Sequence, residues 1–263
     1  MIMNDLSYGM ITDKRPQHGI NYGHFDSKRF RLHLHERSAV TPAEKAVTAS
    51  IPYMQGVVDI SRLLGSRIYT NRTISYTFYR FGVGMHAPTA RFVHPKNSSH
   101  TARDFRTTME NMLMSGFNQN LYDSYEPDFY YTGKCKEVVV EDEYSHNRLK
   151  AEITFDLYPF KIAKHTEAED LFDPFNFDMD ALHDGLNYSI QGQQKVLLYN
   201  ASQKVLTPEI TAAGDIRIVK GEAEYEIQGQ TRPYPGLRLQ SGMNELEITG
   251  TGTIKFDWRK ERI

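Results

Sequence analysis

The sequence predicts a mainly β protein: a strand-rich first half carrying one helix, followed by a small antiparallel sandwich. Three observations carry this prediction. Apolar residues recur with a period of two in the best-patterned segments, a single stretch shows helical spacing, and from Lys195 onward short β-type runs alternate with turn residues. The 263 residues suffice for one large or two small domains at roughly 100 to 200 residues each. The 16 Tyr and 14 Phe supply large, stiff side chains for their cores.

In chain order, Lys28 to His35 reads as a strand with Phe30, Leu32 and Leu34 inward and Arg29, Arg31, His33 and His35 outward. Thr73 to Phe81 is β-branched and aromatic on both faces, the pattern of a strand covered twice, the second cover being open to another subunit. Gly82 to Ser99, rich in Gly, Pro and His, reads as a loop or extended arm. The helix follows: Phe105, Met109, Met112, Leu113 and Gly116 form one stripe, Thr101 with Asp104 makes a capping-box-like start, and Gly116 is the expected stop. Arg148 to Leu157 alternates cleanly, with Leu149, Ala151, Ile153, Phe155 and Leu157 inward.

His165 to Asp184 holds seven acids and no Lys or Arg, and marks a natural boundary with a domain break near Pro159 to His165. The expected domains are therefore residues 1–162 and 163–263. Beyond it, seven short strands are expected: Lys195–Tyr199, Glu209–Ala212, Ile216–Val219, Ala223–Ile227, Leu237–Gln240, Glu245–Ile248 and Thr253–Trp258. The turns between them are assigned to Gly214, Gly221, Gly236, Gly242 and the Gly250-Thr251-Gly252 group.

Composition narrows the function. Thirty-one basic against 33 acidic residues, a net charge of −2, argue against a phosphate-gripping domain. Cys135 is alone, so an intrachain disulfide or a thiolate zinc site is excluded and a reducing cytosol fits. No secretory signal is visible at Met1 to Tyr8, and no apolar run reaches the roughly 18 residues that span a bilayer. Gly-x-Ser-x-Gly, Walker-A, His-Glu-x-x-His and dinucleotide glycine motifs are all missing.

The remaining near-matches have simpler readings. Gly82/Gly84 and Gly250/Gly252 lack a following helix and read as turn geometry. His33 and His35 share a strand face and would bind a metal only if His86 or His94 came near; a solvated or interface face is the expectation. Asp178-Met179-Asp180 lacks the glycine and closing glutamate of a calcium loop and reads as a solvated acidic linker. Cys135 begins a strand and reads as a small core thiol, and Met109, Met112, Met114 and Trp258 read as core, the methionines in preference to a recognition surface. No catalytic, cofactor or metal residue emerges, which shifts weight from enzyme to binding or assembly.

Several stretches in order resemble the distal tail protein (Dit) family of siphophages infecting Gram-positive bacteria. They are Ile51-Pro52-Tyr53-Met54-Gln55-Gly56-Val57-Val58-Asp59-Ile60-Ser61, followed by Gly65, Tyr69, Asn71-Arg72 and the strand after it; the helix ending at Gly116; and Asp128-Phe129-Tyr130-Tyr131-Thr132-Gly133-Lys134. Ile153-Thr154-Phe155 with Tyr158-Pro159-Phe160, and Leu239 to Trp258, complete the match. The resemblance implies an N-terminal β-sandwich or split-barrel-like domain with one helix, followed by a galectin-like C-terminal β-sandwich. It further implies a non-enzymatic, cofactor-free homo-hexameric ring at the virion tail tip, made in the host bacterial cytoplasm. The ring would join the tail tube to a tail-associated hub or lysin protein, anchor receptor-binding or upper baseplate proteins, let DNA pass without sequence-specific binding, and touch no membrane. Asp59, Asn71 and Arg72 are the expected oligomer-interface residues, since charged and amide groups within a sheet motif fix register by hydrogen bonds; local turn capping is their alternative. The competing reading is a carbohydrate-binding module for host cell-wall saccharide, stacking sugar on Tyr225, Tyr234 or Trp258.

Overall fold

A computed structural model describes residues 18–56, 58–61, 67–81, 98–143, 148–169, 186–227, 229 and 232–263. The expectations for residues 82–97, including His86 and His94, and for Asp178 and Asp180 lie outside the described residues. The elements are β1 (Ile20–Tyr22), β2 (Phe25–Asp26), β3 (His33–Ala39), β4 (Thr48–Ala49), β5 (Val58–Asp59), β6 (Arg72–Phe81), α1 (Ser98–Met114), β7 (Gln119–Asp123), β8 (Phe129–Glu143), β9 (Arg148–Leu157), β10 (Lys161–Ala163), β11 (Asn187–Asn200), β12 (Glu209–Lys220), β13 (Ala223–Ile227), β14 (Arg232–Pro233), β15 (Gly242–Asp257) and β16 (Glu261–Arg262). A nine-stranded sheet runs β2-β1-β7-β8-β9-β6-β3, with β10 paired to β8 and to β16; a five-stranded sheet runs β11-β15-β12-β13, with β14 on β12; β4 and β5 pair alone. Two compact units interleave along the chain: Met1–Ser38, Ile74–Tyr125 and Lys134–Phe155 form one, and Ala39–Thr73, Glu126–Gly133 and Asp156–Ile263 the other.

The first unit is built on period-two burial. In β9 every expected inward residue from Leu149 to Leu157 is buried, while the intervening residues stay half-exposed. Ile74, Tyr76 and Phe78 of β6 are buried, and the opposite face, Ser75, Thr77 and Tyr79, is only half-covered. Helix α1 buries Phe105, Met109 and Leu113; it starts at Ser98, ahead of the expected Thr101, and stops at Met114, two residues before Gly116. Of the three methionines expected in the core only Met109 is fully buried, Met112 is half-buried, and Met114, one residue past Leu113 and off the buried stripe, is exposed.

The expected strand from Lys28 to His35 is half turn. The Asp26 carboxylate accepts hydrogen bonds from the Lys28 N–H (2.8 Å) and Arg29 N–H (3.4 Å), so residues 28–31 form a turn and Arg31 takes φ +55. An Asp side chain that satisfies the amides two and three residues on favours a turn over a ladder, and β3 starts only at His33.

In the second unit the expected seven short strands merge into longer ones. Glu209–Ala212 and Ile216–Val219 are both β12, Glu245–Ile248 and Thr253–Trp258 are joined through β15, Lys195–Tyr199 is the last part of β11, and Leu237–Gln240 contributes only a bridge, Leu206 to Leu239. Ala223–Ile227 is β13 as expected. The supposed turn glycines Gly214, Gly250 and Gly252 lie inside paired strands, in the registers Gly214↔Gly252 and Ile216↔Gly250. A Cβ on Gly250 or Gly252 would stand 2.0 Å from a backbone carbonyl oxygen of β12, Asp215 or Ala213 respectively. Glycine is therefore placed there by the close approach of two backbones, not by a reversal of the chain. The inward residues on both sides of these glycines, Ile210 and Ile218 from β12, Leu246 and Phe256 from β15, belong to one buried cluster with Val196, Leu198 and Trp258.

Candidate assembly surface

Edge strand β3 ends the nine-stranded sheet, with β6 as its only ladder neighbour among the described residues. It is anchored from beneath. The Asp123 carboxylate, almost wholly buried at the end of β7, accepts a hydrogen bond from Arg37 Nε of β3 at 2.6 Å and one from the Tyr76 hydroxyl of β6 at 2.8 Å through the same oxygen, Oδ2. Its Oδ1 accepts the Tyr125 N–H at 2.9 Å, and the Arg37 guanidinium lies 5.5 Å from the Tyr125 ring. Along the sheet β7 is separated from β6 by β8 and β9, so side chains meeting at Asp123 require the first unit's sheet to curl until its distant strands face each other. Burial, and then the neighbouring Asp123 charge, push the Tyr76 hydroxyl far above the usual tyrosine range, which keeps it a neutral donor. Charge-assisted bonds of this kind fix one register for an edge that otherwise presents bare N–H and C=O groups.

The exposed residues of β3 are polar apart from Ala39: His33, His35, Glu36 and Ser38 are exposed, and the His35 ring packs edge-on to Tyr79 at 4.9 Å. Among the described residues no group of three or more His, Cys, Asp or Glu side chains could hold a metal ion. Cys135 is buried, and burial raises its thiol to about 11, so it is a poor nucleophile as well as a core residue.

The expected interface residues sit in the second unit. Asp59 pairs with Thr48 in the β4–β5 ladder. Asn71 Nδ2 donates to the Asp156 carboxylate at 3.1 Å on the surface. Arg72 is buried: its Nη1 donates to the Tyr131 hydroxyl at 3.2 Å with the guanidinium 5.4 Å from that ring, and Tyr131 donates in turn to Glu126, which also takes Lys161 Nζ at 3.3 Å. Asn71, just ahead of β6, and Arg72, its first residue, each tie this part of the unit to another segment of it. A second network, not anticipated from sequence, joins Lys204 Nζ to the Tyr158 hydroxyl (2.6 Å) and to Glu261 (2.8 Å) beside an open cleft of about 350 Å³ lined by Arg67, Tyr69, Gln203 and Gln240 among others. Burial lowers the Lys204 ammonium, but Glu261 and Tyr158 outweigh it and hold the amine charged.

Of the three candidate sugar-stacking residues one is buried and two are half-buried with their hydroxyls engaged. Trp258 is buried in the core cluster; Tyr225 donates to the Gly236 carbonyl at 2.8 Å, and Tyr234 donates to the Glu226 carbonyl, their rings edge to face at 6.4 Å.

No protein-family model and no curated protein matches this chain. A solved structure does: the crystal structure of the Dit protein of phage SPP1, described as a paradigm of the hub adsorption apparatus in phages infecting Gram-positive bacteria, aligns with 92% of this chain and 98% of its own length at a TM-score of 0.56 and 12% identity. This chain has the fold of Dit. The fold is mainly β with one helix and two large antiparallel sheets, and Dit has a galectin-like domain. In the Dit fold of this chain, β11 to β15 form the galectin-like sheet, and α1 with β1 to β3 and β6 to β9 supplies the helix-bearing part.

Proposed function

We propose that this chain is a structural distal tail protein of a siphophage. Six copies form a ring at the virion tail tip that connects the tail tube to a tail-associated hub or lysin protein and anchors receptor-binding or upper baseplate proteins for host attachment. The carrying observation is the Dit fold, which spans nearly the whole of both aligned chains. The physical chemistry of the residues supports it. Strand β3 ends a sheet on a rigidly held polar edge, and a head-to-tail ring covers such an edge with the same neighbour at every position. A balanced charge of −2 suits a lumen that lets DNA pass without gripping it.

In this reading residues 1–162 form the ring and residues 163–263 project outward as the galectin-like domain. The protein is made in the host cytoplasm and acts in the virion, without catalysis and without a membrane; among the described residues no helix is long and apolar enough to cross one. Asp59, Asn71 and Arg72 support the ring interface, Arg72 from inside the protomer by holding Tyr131 and Glu126 in place. Negative-stain imaging of the purified protein with a mass measurement tests the proposal: the expected result is a six-fold annulus of six times 30.3 kDa. A stable monomer at high concentration would overturn it.

A further inference from the structure

Sixty-four charged residues are spread through the chain, yet two stretches have none: residues 46–58, 13 residues long, and residues 111–122, 12 residues long, are the longest without Asp, Glu, Lys or Arg. They are also where apolar side chains stay in water. Of the ten large hydrophobic residues that remain exposed among the described residues, Ile51, Tyr53, Met54, Met114, Phe117 and Tyr122 fall in these two stretches. Loss of charge together with exposed aromatic and methionine side chains is the composition of an interface core.

Tyr53 singles out the first stretch. The Met54 N–H donates to the Ile51 carbonyl at 3.1 Å, closing a turn with Pro52 at its second position and Tyr53 at its third. Tyr53 has φ +67, a backbone region that this turn position normally reserves for glycine or asparagine, and its side chain is fully exposed. A bulky, fully exposed aromatic held in a strained conformation is unexplained by folding; strain of this kind collects where a function requires it. A solvent-presented tyrosine is a side chain of the kind that anchors protein interfaces. The second stretch offers the complement: Phe117, 95% exposed, beside Met114 at the end of α1, in the other compact unit.

We infer that the Ile51–Met54 turn of one copy inserts against the Met114–Phe117 surface of the next copy, with Tyr53 as the anchor. The occupant is a second copy because the chain carries two unlike uncharged surfaces of similar length. An isologous dimer joins a patch to itself, whereas two unlike patches on one chain are what a head-to-tail contact between identical copies uses. The inference rests on the proposed ring and names the surfaces that meet in it.

The test uses full-length single variants Y53C and F117C and a short bis-maleimide cross-linker, with buried Cys135 left in place and the unsubstituted protein as control. Mixing Y53C with F117C is expected to give a cross-linked pair that neither variant gives alone. A pair formed as strongly within Y53C alone or F117C alone, or no pair in the mixture, overturns the inference. If the unsubstituted protein still shows an annulus in that case, the ring proposal stands and only this pairing fails; a monomer without cross-link ends both. A second variant guards against misfolding: Y53G relieves the positive φ, so its melting temperature is expected to hold or rise while the concentration for half-assembly rises at least tenfold. Assembly unchanged in Y53G likewise overturns the inference.

Discussion

Asp123 takes hydrogen bonds from Arg37 and Tyr76, residues 86 and 47 positions away in the chain, and the arrangement makes it a sensitive place to cut. Replacing a buried carboxylate by an amide of the same shape leaves a guanidinium without its counter-charge. D123N is therefore expected to lose about 2 to 4 kcal/mol in urea denaturation with an unchanged slope. Removing the exposed Lys195–Glu245 pair by K195A should leave the midpoint where it was. Alkaline pH gives a second expectation. Burial raises the thiol of Cys135 to about 11 and lifts the Tyr76 hydroxyl further still, so the unfolded chain releases these protons first. Between the ordinary thiol range near 9 and about 11 the folded state binds more protons, and stability falls as pH rises; the melting temperature should decline across that window and recover on return. At Arg72 the expected outcome of R72A is a shift of the purified assembly toward monomer by light scattering, and an unchanged mass would remove its interface role.

At the scale of elements, alternation was enough where both partners of the pattern were local. Strand β9 and strand β13 could be read directly, because each inward residue is two positions from the next, and the α1 stripe of Phe105, Met109 and Leu113 followed from helical spacing. Gly214, Gly250 and Gly252 misled because glycine carries the same letter in a turn and in a strand pressed against another backbone, and only the pairing of β12 with β15 tells them apart. The difference is measurable. G252A places a methyl group 2.0 Å from the Ala213 carbonyl and is expected to lose about 3 kcal/mol or fail to fold, whereas G242A, with φ +89 but open space around it, should cost about 1 kcal/mol. Thermal unfolding of the two variants side by side would decide; equal losses would mean that backbone approach is not what fixes glycine in β15.

For the whole molecule, order and spacing of short motifs were enough to foresee the Dit fold, since the fold depends on which β-runs, turns and single helix follow one another. The surface was less legible. Arg37, Asp123 and Tyr76 meet only after the sheet has curled, and the Lys204 network forms only when residues 158, 204 and 261 are brought together, so no local pattern announces either. The strain at Tyr53 is a torsion angle, and sequence shows only an aromatic residue after a proline.

Strand β15 has a consequence for how the molecule breathes. Its residues 247–255 are paired to β11 along one edge and to β12 along the other, so none of their amides reaches water until a neighbouring ladder opens. In deuterated buffer these amides should be the last of the second unit to lose their protons, and the rate at which they do so reads out the opening of the galectin-like sheet as a whole.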